Sequence, residues 1–127
     1  MPVGTKLIDL GPEQKDFAST AAIVANLDLV ICVDTSVAHL VGALGKPVWI
    51  PLPFAPEWRW LLHRDDSPWY PTARLFRQPA PMRWDPVIQR LIAELRASID
   101  RHTRNRGYSS KRVARNNDTE VAVLRAT

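Results

Sequence analysis

An α/β fold, a Rossmann-like parallel sheet with flanking helices, is predicted from three observations. The apolar, β-branched run Leu29 to Val33 is uninterrupted, as a strand covered on both faces requires. It stops in a polar knot, Asp34-Thr35-Ser36, and gives way to apolar residues at helical spacing. Strand-like and helix-like stretches alternate along the chain with short links, which favours one parallel sheet with right-handed crossovers.

The elements follow in order. Lys6 to Leu10 is a short strand candidate closed by Gly11-Pro12 as a turn. Asp16 is placed to cap a helix over Phe17 to Leu27, with Phe17, Ala21, Val24 and Leu27 on one face. The strand Leu29 to Val33 comes next, then a helix from about Thr35 to Leu44 whose apolar face is Val37, Leu40, Val41 and Leu44. Gly45 suits the left-handed residue after a helix, and Pro47 forbids continuation. Pro47 to Ile50 reads as another strand, and Arg74 to Gln78 as a further one. Between them, residues 53–73 carry Trp58, Trp60, Trp69 and Tyr70 among prolines and charges. Long connections of this kind are usually functional. Asp85 and Pro86 start a last amphipathic helix with Val87, Leu91, Leu95 and Ile99 on one face.

Composition bounds the function classes. With 127 residues, 46% of them apolar, the chain is expected to form one small globular domain. No apolar run approaches the roughly 20 residues of a membrane span. The start Met-Pro-Val-Gly lacks the regions of a signal peptide. Cys32 is the single cysteine, so neither an internal disulfide nor a sulfur metal site is available, and its place in a strand reads as a small buried hydrophobe. A cytoplasmic protein is expected. The net charge of +4 belongs to the C-terminus: residues 101–127 hold seven basic and two acidic side chains, residues 1–100 ten and eleven. Without apolar periodicity, the tail 101–127 is expected to be disordered. It lacks the aromatic interleaving of a stacking platform apart from Tyr108, so nucleic acid is not the expected partner.

The chemistry concentrates at Asp34, Thr35 and Ser36. A helix N-terminus at the carboxyl end of a buried strand carries free N–H groups and partial positive charge, where α/β sheets bind ligands. The plainer reading is that these residues only cap the helix. His39 lies one turn further on the same face, either as a ligand contact or as a core or capping histidine. Ser36, His39 and Asp34 do not make a hydrolase triad: they share one turn, and no Gly-x-Ser-x-Gly elbow is present. No Gly-x-Gly-x-x-Gly or Walker loop occurs either. Trp58 and Trp69 either fill space against the sheet or contact a ligand or second domain. Arg59 and Asp66 either pair with each other or meet that ligand.

Several segments together resemble a known family: Asp28-Leu29-Val30-Ile31, Val33-Asp34-Thr35-Ser36-Val37-Ala38-His39-Leu40, Gly42-Ala43-Leu44-Gly45-Lys46-Pro47-Val48-Trp49, Trp58-Arg59-Trp60, Asp66-Ser67-Pro68-Trp69-Tyr70-Pro71 and Arg74-Leu75-Phe76-Arg77-Gln78. Over about residues 6–99 the chain resembles the C-terminal nucleotide-sugar-binding domain of bacterial GT-B glycosyltransferases that carry tetratricopeptide repeats, relatives of the heptosyltransferases. The resemblance implies half of a GT-B fold in residues 1–100 and glycosyl transfer from a nucleoside diphosphate sugar, with no other cofactor and no metal. Thr35 and Ser36 would meet the diphosphate, Asp34 would fix the turn, and His39 would contact a phosphate or a donor hydroxyl. Ser36 stands where heptosyltransferases often have glycine. The acceptor, protein or glycan, and the general base belong to a second domain. That domain is expected to be encoded separately, as an upstream acceptor or repeat domain, and the chain alone to be inactive. The alternative from another class is a non-catalytic fragment or binding module whose basic tail contacts polyanions.

Overall fold

A computed structural model describes residues 8–109 and 121–123. In chain order it contains helix α1 (Phe17–Ala25), strand β1 (Leu29–Ile31), helix α2 (Ser36–Ala43), strands β2 (Val48–Leu52) and β3 (Ala73–Arg77), the long helix α3 (Asp85–Ser109) and strand β4 (Val121–Val123). The strands form one sheet in the order β3-β2-β1-β4, with every neighbouring pair parallel. Register is set by Val30 opposite Val48 and Ala122, and by Ile50 opposite Leu75. The expected α/β arrangement is present.

Two cores explain why β1 is apolar at every position. Alternate residues of a strand face opposite sides. Val30, Val48, Ile50, Leu52 and Leu75 face α1 and α2, with Val24, Leu27, Ala38 and Val41 filling the same layer. Leu29, Ile31, Trp49 and Phe76 face α3 and pack on Val87 and Leu91. On that second face Arg74 covers the aromatic layer, 5.7 Å above Trp49 and 5.2 Å above Phe76, and pairs with Glu94 of α3 at 2.9 Å. Pairing with Arg74 holds the Glu94 carboxyl below its ordinary range.

Local signals fix the helix ends. Asp16 caps α1 in a reciprocal box: its carboxylate accepts from Ser19 N at 2.7 Å, and Ser19 Oγ accepts from Asp16 N at 3.0 Å. Helix α2 closes as expected from Gly45, whose φ is 67°. Gly45 N donates to Gly42 O and Lys46 N to Val41 O, the paired bonds of a Schellman end.

Several expectations are corrected. No strand forms at Ile8–Leu10, where the chain runs irregularly into a 3-10 turn at Gly11–Glu13; Lys6 and Leu7 lie outside the described residues. Helix α1 ends at Ala25, and Phe17, its first residue, is exposed. β1 stops at Ile31, leaving Val33 exposed. Leu44 and Ile99 are also partly exposed, so the buried stripe of α2 is Ala38, Val41 and Gly42. The tail is not uniformly irregular: α3 continues through residues 101–109, and Val121–Val123 add a parallel edge strand to β1. The open edge of β1 presented backbone groups that such a strand satisfies. Residues 110–120 and 124–127 lie outside the described residues.

Candidate functional site

The carboxyl end of β1 turns directly into α2. Thr35 occupies the N-cap position in extended conformation, yet no side chain caps the helix. Its hydroxyl instead donates back to Val33 O at 3.3 Å. The expectation that Asp34, Thr35 and Ser36 supply capping oxygens is therefore corrected for this turn. The first N–H groups of a helix have no intrahelical acceptor, so those of Ser36 and Val37 face outward with the positive end of the helix dipole. Ser36 is exposed, while Asp34 and Thr35 are half-buried.

His39 is brought to this turn and anchored from three sides. Its Nδ1 lies 2.9 Å from the Tyr70 hydroxyl, its ring stacks on Trp60 at 5.3 Å and 18°, and its Nε2 lies 3.8 Å from Asp34 Oδ1. The carboxylate beside Nε2 favours the tautomer with its proton there, leaving Nδ1 to accept from Tyr70. At 3.8 Å the Asp34 contact is too long for a hydrogen bond, so the Nε2 proton remains open to another acceptor. One ring nitrogen of His39 is thus structural, as the core reading expects, and the ligand reading concerns the other, Nε2.

The aromatic connection between β2 and β3 divides its labour. Trp60 is fully buried and joins the α1–α2 core, whereas Trp58 and Trp69 are 68% and 58% exposed. Trp58, Arg59 and Trp60 form one 3-10 turn, and Trp69 Nε1 donates to Arg59 O at 3.1 Å. Buried Ser67 accepts from the backbone N–H groups of Trp69 and Tyr70, which explains the serine in Asp66-Ser67-Pro68-Trp69-Tyr70. A cavity of about 280 Å³ opens between His39, Trp58, Arg59, Trp60, Trp69 and Tyr70. Helix α2 approaches Tyr70 so closely that a Cβ at Gly42 would sit 2.5 Å from Tyr70 Cγ.

Arg59 and Asp66 do not pair with each other. Arg59 pairs with Glu57 and lies 5.0 Å above the Trp58 ring, while Asp66 takes two bonds from Arg64, at 2.6 and 2.8 Å. Sequence reasoning missed Arg77 as the clamp of this loop. Its guanidinium donates to Trp60 O and to Arg64 O, on either side of Leu61, whose φ of 56° and ψ of −168° are strained for a residue with a Cβ. A second arginine at the end of a short strand, directly after Leu75 and Phe76, was the available signal. Cys32 is a buried free cysteine two residues before this turn, and burial, with a further push from Asp34, raises its thiol to about 12. Among the described residues no group of His, Cys, Asp and Glu side chains is arranged to hold a metal, and no helix is long and apolar enough to cross a membrane.

Over 81 residues the chain is 35% identical to Protein FlbA of Caulobacter vibrioides, an alignment that covers 64% of this chain and 13% of FlbA. The chain thus spans a small part of the length of that relative. No protein-family model and no solved structure matches it.

Proposed function

We propose that this chain binds the diphosphate of a nucleotide sugar at the Asp34–His39 turn and acts as the donor-binding part of a GT-B glycosyltransferase. The observation that carries this reading is the uncapped start of α2 at the carboxyl end of β1. A free helix N-terminus at that edge favours an anion. Ser36 and Val37 N–H groups and the Ser36 hydroxyl are the donors offered to that anion, while the Thr35 hydroxyl is already turned to Val33 O. In glycosyl transfer the bond from the anomeric carbon to the diphosphate breaks, and negative charge grows on the departing oxygen. Donors already aimed at that oxygen lower the barrier most, because they need no reorganisation. His39, held by Tyr70 and Trp60, offers its Nε2 proton to the same charge or to a donor hydroxyl. Asp34 keeps that proton on Nε2. The acceptor, and the base that activates it, are assigned to a second domain.

Hydrogen exchange on the full chain, with and without uridine or adenosine diphosphate, tests the assignment. The nucleotide is expected to slow exchange at residues 34–39. Thr35→Ala combined with Ser36→Ala is expected to remove most of that protection. Ser36→Pro removes one backbone donor at a position where proline suits a helix start, and Thr35 is already extended as proline demands of its predecessor. It is therefore expected to weaken binding while leaving thermal stability intact. Equal protection in all three proteins sinks the site.

A further inference from the structure

We infer that the cavity walled by Trp58, Arg59 and Trp69 is a subsite for a carbohydrate ring, with the two exposed indoles as its stacking faces. Four observations lead there. Trp58 and Trp69 stay exposed, with Arg59 over only one face of the Trp58 ring, although a buried tryptophan, Trp60, sits beside them in the same loop. Exposed aromatic surface on a loop held by Arg77 and Ser67 is a built feature rather than a frayed one. The cavity is close to neutral, because the Arg59 charge is matched by Glu57; this fits an uncharged polyol better than a second phosphate. Its polar groups are also of the kind hydroxyls satisfy. Tyr70 Oη, whose proton goes to His39 Nδ1, can accept, and the His39 Nε2 proton can be donated. The Arg59 guanidinium at the cavity wall adds N–H donors beside them.

Position separates a sugar from a nucleobase. His39, which lines the cavity, stands four residues after Thr35, about 6 Å along the helix. In a nucleotide sugar the transferred ring is bonded directly to one end of the diphosphate and the ribose is joined to the other through its 5′ carbon, with the base beyond it. The ring beside the phosphate position is therefore a sugar ring, and bare nucleotides, which carry ribose alone, distinguish it from the transferred one. A pyranose offers an apolar C–H face to an indole and a rim of hydroxyls to Tyr70, His39 and Arg59. Its source is either the donor or an acceptor glycan; only the donor case rests on the function proposed above.

The test uses the full chain and its tryptophan fluorescence. A panel of uridine, adenosine and guanosine diphosphate sugars is titrated beside the bare nucleoside diphosphates, and an array of free glycans is probed separately. A donor source predicts that at least one nucleotide sugar quenches the indoles and binds more tightly than its bare nucleotide. An acceptor source predicts quenching by a free glycan. In either case Trp58→Ala, whose side chain makes no hydrogen bond to the described residues, is expected to weaken sugar binding about tenfold. Trp69→Phe keeps a ring and is expected to weaken it less. Near-ultraviolet dichroism from buried Trp49 and Trp60 checks that the variants fold. If no sugar quenches, if Trp58→Ala binds sugar as wild type does, or if bare nucleotides give the same quenching, the subsite is overturned. Protection of residues 34–39 by nucleoside diphosphate is read separately, so loss of one result leaves the other standing.

Discussion

Helices α1 and α2 both pack on the same face of the sheet, yet their N-termini are built in opposite ways. At α1, Asp16 and Ser19 exchange side-chain and backbone hydrogen bonds in a closed box. At α2, Thr35 sits in the same extended cap conformation but turns its hydroxyl back to Val33. The α1 start is fixed locally by its cap. The α2 start is fixed by tertiary packing: Gly42 against Tyr70, His39 against Trp60, and Ala38 and Val41 in the core. A helix that draws its position from packing can leave its first N–H groups free for an incoming anion.

The largest expected effect comes from breaking that packing. Gly42→Ala gains helix propensity but drives a Cβ into the Tyr70 ring. A net loss of about 2 kcal/mol is expected from overpacking, measured by urea unfolding, together with loss of the His39–Tyr70 contact. A neutral Gly42→Ala would show that the packing does not define α2.

Next in size is the conversion of the open end into a closed one. Thr35→Asp supplies the carboxylate cap that α1 already has. It is expected to stabilise the protein by about 0.5 kcal/mol while abolishing protection of residues 34–39 by nucleoside diphosphate, since a fixed negative charge would occupy the anion position. Stabilisation with binding retained would separate the cap site from the ligand site.

The smallest effect lies at α1. Hydrogen bonds from Ser19 lower the Asp16 carboxyl below its ordinary 3.8. A group depressed on folding stabilises above its unfolded value and loses that contribution as pH falls through the folded one. Acid titration of thermal stability should therefore show a small decline below about pH 3.8 that Asp16→Ala lacks, with the variant slightly less stable at neutral pH. Identical acid profiles would remove the cap from the account of α1.

Legibility in the sequence followed the range of the interactions. The cap at Asp16 and the left-handed Gly45 depend on neighbouring residues and appeared as read, while the run Leu29 to Val33 is buried on both faces only as far as Cys32 and ends as a strand at Ile31. The turn at Asp34-Thr35-Ser36 was legible as a strand-to-helix junction, but its residues looked like caps. Which way the Thr35 hydroxyl points depends on Val33 and on packing that positions α2. The aromatic connection was legible as unusual, yet composition could not say that Trp60 is buried while Trp58 and Trp69 face solvent. Arg59 and Asp66 found partners two residues away, in Glu57 and Arg64, which spacing alone did not favour over a long-range pair.

By itself, the sequence determined the alternation of strands and helices, the stop of α2 and the place where a helix start meets the end of a buried strand, because short-range hydrogen bonding and apolar periodicity decide these. Tertiary structure decided what surrounds that junction. It set His39 between Asp34, Tyr70 and Trp60, opened the cavity beside them, carried α3 to Ser109 and placed Val121–Val123 on the free edge of β1. Those outcomes depend on residues tens of positions apart meeting in space, and local pattern carries no record of such meetings.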